Sequence, residues 1–321
     1  MKASAPFLND AGRLRSGWRL GLYVLVFVVL LFLLGSLLRV AFAVGTLLHF
    51  SSSPFLEDIG FRVMLLSAAL LAGWICNRWL EGLPWRALGL WFHAGWFRDL
   101  WAGSLIGGAS LVLAAALGMI AGGLRFSFSG REFLYSIARA LVTTALLFII
   151  AALAEEAMFR GYPLQTLSRA GLVWLAVLLT SVPFGIIHWQ NPGATLFSST
   201  NTALAGVWLG IAYLRTRSLW FPLGVHWAWN WAQGSILGVP VSGLKLSSHP
   251  LLQSIDKGPD WLTGGSYGIE GGLACTIALL ASTLFIWRTA LVSATPDLKK
   301  LTSEENPARL KHDKLLFVDP E

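Results

Sequence analysis

The sequence predicts an all-α, polytopic membrane protein: a helical bundle of about eight transmembrane helices around an intramembrane polar cavity. Three observations predict it. Apolar runs of the ~20 residues that cross a bilayer core recur along the 321 residues. Hydrophobic residues make up 55% of the chain and charged residues only 13%, against roughly 25% charged in a soluble protein. That is too little polar material to cover a soluble domain of this length. Finally, a few ionisable side chains fall in or against the apolar runs between residues 155 and 230, where lipid tolerates them only if they line a cavity.

The spans read, in order, near residues 18–43, 61–80, 100–122, 133–154, 172–190, 195–214, 218–240 and 269–291. Each is expected to be a helix, because hydrocarbon leaves backbone N–H and C=O groups no partner outside their own segment. The first run is preceded by Arg13, Arg15 and Arg19, and Ala41-Phe42-Ala43 mimics a signal-peptide cleavage site. The run is too long for a signal h-region of ~7–15 residues, so it reads as a retained span. Organisation follows: a cytoplasmic N-terminal segment at 1–17, N-terminal transmembrane helices at 18–132, a core at 133–243 that holds the polar residues, a loop and last helix at 244–294, and a polar tail at 295–321. The loop at 241–268 is the longest connection, and Glu270 after it reads as an acid near a helix N-terminus.

The formal charge of +7 invites a nucleic-acid partner, but the basic residues stand singly between apolar runs and form no stripe, so none is expected. Arg78, Arg86, Arg98, Arg160, Arg169, Arg215 and Arg217 join the three N-terminal arginines on one set of loops; Arg62, Arg125, Arg131, Lys245 and Lys257 occupy the other. The positive-inside rule then places both termini in the cytoplasm. The compact loops and the lack of a retention signal suit a bacterial inner membrane. Cys76 and Cys275 lie in separate apolar runs and read as buried free thiols.

Three polar clusters carry the chemistry. In Glu155-Glu156-Ala157-Met158-Phe159-Arg160, Glu156 and Arg160 are four apart on a helix, the acid first, which favours an ion pair. Glu155 points about 100° away and is left unpaired; in a low-dielectric site its raised pKa would suit a general base. A solvated helix end explains this cluster equally well. The second cluster is Phe184-Gly185-Ile186-Ile187-His188, and the third His226-Trp227-Ala228-Trp229-Asn230, in which His226 and Asn230 share a helix face. Ser168-Arg169-Ala170-Gly171 reads as a turn between antiparallel helices. Glu155 and His188 each lie ~24 Å from it along the helix and would sit level, with Pro163 kinking the first helix.

Glu155-Glu156-x-x-x-Arg160, Phe184-x-x-x-His188 and His226-x-x-x-Asn230 resemble, in order, the motifs of the CPBP intramembrane proteases, which include the CAAX prenyl endopeptidases and bacterial proteins of bacteriocin processing or immunity. Phe159-Arg160-Gly161, Asn191-Pro192, Leu219-Trp220-x-Pro222 and Val241-Ser242-Gly243 are similar to that family too, so the likeness covers roughly 151–243. The resemblance implies a catalytic core at 133–243 and cleavage of a membrane-associated peptide or protein substrate. It implies that Glu155 and His188 activate water, that His226 and Asn230 stabilise the oxyanion or orient the water, and that Glu156 with Arg160 supports the catalytic helix. No cofactor is needed for such a scheme. A zinc version, with Glu155, His188 and His226 as ligands and water as the fourth, stays open beside it, although H-E-x-x-H is absent. A serine mechanism lacks its G-x-S-x-G elbow. A non-catalytic immunity factor or scaffold remains the alternative to an enzyme, and a proton-relay transporter would need the inverted repeat that this chain does not display.

Overall fold

In the computed structural model, residues 6–9, 12–49, 53–130 and 134–302 are described. Arg131, and the expected tail beyond residue 302, lie outside them. The chain is mostly helical: α1 Ser16–Leu47, α2 Pro54–Leu80, α3 Trp96–Ile120, α4 Leu134–Glu156, α5 Tyr162–Arg169, α6 Val173–Ile187, α7 Leu196–Thr216, α8 Trp220–Trp231, a single turn α9 Asp260–Thr263, α10 Leu273–Arg288 and α11 Pro296–Thr302.

Every expected span coincides with a helix, yet among the described residues only four helical stretches are long and apolar enough to cross a bilayer: α1, α2, α3, and α4 with its continuation to Arg169. The helices α6 and α10 are apolar but short. The first turns of α7 carry Ser198, Ser199, Thr200, Asn201 and Thr202, and α8 has 12 residues. Twelve residues span ~18 Å, well short of a bilayer core. The chain is an integral membrane protein by the character of its surface as well. Leu37 and Trp79 on α1 and α2, and Ile120 and Val142 on α3 and α4, are all largely exposed, as side chains facing lipid are and those facing water seldom are. Helix α1 runs unbroken through Ala41-Phe42-Ala43.

The chain divides into two compact units, each discontinuous in sequence. The first comprises residues 1–92, 153–176 and 294–321, so far as they are described. Here Tyr23 of α1 is buried, stacks on Tyr162 with ring centroids 5.4 Å apart, and donates its hydroxyl to the Met158 carbonyl at 3.3 Å. That carbonyl lies in a π-helical turn, Ala157–Gly161, through which α4 is followed by α5. Where the sequence predicts a kink at Pro163, the structure has a π turn just before it. Proline lacks an N–H and crowds the carbonyl four residues back; the wider turn absorbs the conflict, and Pro163 takes the first turn of α5, where no N–H is needed. Gly171, at φ +77°, ends α5.

The same unit buries a charged cluster. Glu81, capping α2, accepts from Arg169 Nε at 2.9 Å and from the Thr166 hydroxyl, and lies 3.2 Å from Arg19 Nη1. Arg169 also reaches Asn77 and Gln165. Burial pushes the Glu81 carboxyl up; the charge of Arg169, with that of Arg19 and the hydrogen bonds, outweighs it and holds the group at about 2. Arg19, Arg160 and Arg169, counted in the loop charge bias, are therefore also buried ion-pair partners.

The second unit comprises 93–152 and 177–293. Its centre is the contact of α3 with α8. A Cβ on Gly103 would lie 2.2 Å from the Phe221 carbonyl oxygen, one on Gly107 2.1 Å from that of Val225, and one on Gly224 2.2 Å from that of Leu100. The two backbones touch, as small-residue seams between membrane helices allow. Helices α6 and α7 repeat the device: Gly185 abuts the Ser199 carbonyl, and Gly206 abuts Ser181. From α8, Trp227 and Trp231 stack at 5.6 Å and donate their ring N–H groups to the carbonyls of Ala145 and Leu141 on α4, each at 3.1 Å. A two-stranded antiparallel sheet, β1 Leu124–Phe128 with β2 Leu252–Asp256, packs into this unit, pairing Leu124 with Asp256. The sequence reading assigned no strand to either segment.

Candidate active site

The first motif lies in the first unit. Glu156 and Arg160 are both fully buried, with Arg160 Nη1 3.2 Å from Glu156 Oε1. The helix and its π turn hold this pair: the acid ends α4 and the base sits in the wider turn that follows. Glu155 is half-buried. Its carboxylate also acts electrostatically on Arg160, second to Glu156, so the guanidinium faces two acids, where the sequence suggested one.

The second and third motifs lie in the second unit, and one ring links them. Phe184 is buried on α6; its ring centroid is 5.0 Å from that of His188 and 6.1 Å from that of His226, the latter edge-on at 79°. Gly185 admits α7 against this turn of α6. His188 follows the last turn of α6 and is half-buried. Its Nδ1 lies 2.7 Å from the Phe184 carbonyl. A carbonyl only accepts, so Nδ1 carries the hydrogen, and in the neutral tautomer that this bond selects the lone pair is on Nε2. That is the nitrogen able to take a proton from water. His226 is 7% exposed and Asn230 half-buried, one turn apart on α8. The glycine seam fixes the position of α8 and thus of both. Within either unit, among the described residues, no three His, Cys, Asp or Glu side chains form a ligand group. Glu155 belongs to one unit and the two histidines to the other; their convergence is a proposal taken up below.

One polar group escaped the sequence reading, and a second was read only as an acid near a helix N-terminus. His93 is buried with Nε2 2.9 Å from Ser218 Oγ and 3.7 Å from Asp99 Oδ2. By composition this is a Ser-His-Asp set. The hydroxyl and the acid approach the same nitrogen, however, and Nδ1 faces the Ala94 carbonyl at 3.0 Å, so the acid does not orient the ring as a triad requires. The group instead ties the start of α3 to the turn between α7 and α8. The second group is Glu270, in the 3-10 turn Ile269–Gly271. Its Oε1 accepts from Trp229 Nε1 at 3.2 Å, and its Oε2 from the Ser242 N–H at 2.5 Å and hydroxyl at 2.8 Å. The only signal in the sequence was its isolation as an acid among glycines.

Residues 137–232 match the family model described as type II CAAX prenyl endopeptidase Rce1-like. No curated protein and no solved structure matches the chain. The matched stretch contains all six motif residues, from Glu155 to Asn230, and the family is one of membrane proteases that act on membrane-associated proteins. Over residues 137–232 the chain is thus similar to the CAAX-type prenyl endopeptidase family, the likeness that its three motifs indicated.

Proposed function

We propose that this protein is an intramembrane endopeptidase that hydrolyses a peptide bond of a membrane-associated, CAAX-like substrate with water activated by Glu155 and His188. One observation supports the reading: within the stretch that matches the protease family, the Phe184 ring touches both the His188 and the His226 ring, in an otherwise apolar region. Two imidazoles grouped at such a place are costly to bury without use.

The chemistry needs a base for water, donors for the oxyanion and a proton for the leaving amine. In the proposed reaction, the oxygen of a water activated by Glu155 and His188 attacks the peptide carbonyl carbon, and one of the two takes its proton. The carbonyl π electrons move onto oxygen, which takes hydrogen bonds from His226 and the Asn230 amide. On collapse the C–N bond breaks, and the stored proton goes to the amine. Glu156 and Arg160, buried as a pair, hold the segment that carries Glu155. This scheme requires no cofactor; in the zinc version the same Glu155, His188 and His226 would be ligands, and the metal would supply the nucleophilic water. The bias of basic residues between the loops supports a bacterial inner-membrane protein with both termini on the cytoplasmic side.

The test is cleavage of a lipidated CAAX peptide by purified full-length protein in detergent. Glu155→Ala and His188→Ala should each lose at least ~100-fold in kcat. Unaltered cleavage in Glu155→Ala would falsify the assigned base. Loss on chelation that zinc restores moves the mechanism to the metal version. No cleavage by the wild type of any lipidated or membrane-tethered peptide favours the immunity or scaffold role.

A further inference from the structure

Three loops of the second unit meet at Glu270. The first follows His188: the Asn191 N–H donates to the His188 carbonyl at 3.1 Å, and Asn191 Nδ2 donates to the Ser242 carbonyl at 3.0 Å. The second is Val241–Leu244, just beyond the third motif. Ser242 there takes φ +46°, an unusual backbone for a residue with a side chain, and gives both its N–H and its hydroxyl to Glu270. Gly243 follows at φ +82°; a Cβ there would lie 2.0 Å from the Pro192 carbonyl oxygen. The third is the turn of Glu270 itself, whose carbonyl accepts from Asn201 Nδ2 at 2.9 Å. From α8, Trp229, three residues after His226 and next to Asn230, completes the set through its ring N–H.

The carboxylate thus has one oxygen on the helix of His226 and Asn230 and the other on the loop that holds the His188 loop. All its hydrogen-bond donors are neutral, and among the described residues no Arg or Lys pairs with it. The titratable groups that feel its charge are His188, Tyr267 and Cys275. A mere strut would not need the charge: a glutamine oxygen accepts from a serine equally well. Burial pushes the Glu270 carboxyl up, and the hydrogen bonds from Ser242 and Trp229, with the charge of His188, work to keep it ionised; in that ionised form little screens its field from the imidazole.

We propose that Glu270 is a positioning residue for the reaction: it locks the loop of His188 to the helix of His226 and Asn230, and its negative charge steadies the His188 ring as that ring takes the proton from water. The proposal rests on the reading of His188 as a base. It assigns Glu270 a part that no group outside the matched stretch 137–232 otherwise has.

The experiment uses full-length protein in detergent. Glu270→Gln keeps shape and removes charge; Glu270→Asp keeps charge and shortens the reach. Expected for Glu270→Gln is a kcat at least ~10-fold down with KM within ~2-fold, a thermal midpoint near that of the wild type, and partial recovery of kcat in Glu270→Asp. A second readout needs no substrate: the ¹⁵N signals of the His188 ring, assigned by their absence in His188→Ala, should move in Glu270→Gln while those of half-buried His249 stay. Wild-type kcat and unmoved His188 signals in Glu270→Gln overturn the proposal. So does a loss of rate that merely tracks the unfolded fraction. If Glu270→Gln does not fold, Glu270→Asp takes its place: a lowered kcat and displaced His188 signals support the proposal, and wild-type values overturn it. If the wild type cleaves nothing, the functional reading fails separately, and the His188 signals alone decide whether Glu270 acts on that ring.

Discussion

The two units differ in how each holds its most connected buried carboxylate. In the first, every buried acid described faces guanidinium: Glu81 lies between Arg19 and Arg169, and Glu156 against Arg160. In the second, Asp99 also meets a guanidinium, that of Arg98 at 3.4 Å, but Glu270 rests on indole, hydroxyl and amide N–H groups. A carboxylate matched by a cation has its field cancelled at short range and serves to hold backbone segments together. One matched by neutral dipoles keeps its field for whatever stands nearby. The first unit therefore reads as a clamp around the segment bearing Glu155, and the second as a setting in which proton affinities are adjusted.

That contrast can be broken most forcefully at Arg160. Arg160→Met strands Glu156 in a buried site and should cost about 3–5 kcal/mol of stability, followed as thermal unfolding in detergent. Adding Glu156→Leu should return most of it; a single variant that loses less than about 1 kcal/mol would mean that the pair is not dry. Acid should act next. The folded-state carboxyl of Glu81 lies at about 2, below its ordinary 4.5. Its contribution is then full above pH ~4.5 and is lost as the pH falls toward 2, on the order of 3 kcal/mol in all. A scan of thermal midpoint against pH checks it: the acid decline should flatten in Glu81→Gln, and an identical slope there would refute the assignment. The second unit should respond to volume instead. Gly107→Ala places a methyl against the Val225 carbonyl and should lose about 1–3 kcal/mol, because neither backbone can yield. A midpoint within one degree of the wild type would mean that α3 and α8 are less tightly joined.

Much of the helical content was legible because hydropathy is a local property. Each apolar run became a helix, and the spacing of Glu156 and Arg160 alone predicts that they meet. The number of crossings was not legible: run length does not reveal that α8 gives way to a π turn, Ala232–Ile236, after 12 residues, or that α7 opens with polar turns. The β1–β2 pair was hidden for another reason. Its partners Leu124 and Asp256 are joined across most of the second unit, and neither segment has a hairpin turn to announce it. Glu270 stayed hidden likewise. Its donors come from residues 229 and 242, and no spacing rule connects an acid to an indole 41 positions earlier.

The backbone seam between α3 and α8 has one more consequence. Side chains at an interface can rotate to accommodate a slide, but main-chain atoms in contact cannot. The depth at which His226 and Asn230 sit is therefore encoded in another helix, by the positions of Gly103 and Gly107. One residue inserted in α3 ahead of this pair would swing it about 100° around the axis. The register of the third motif would then be lost, with every one of its own residues still in place.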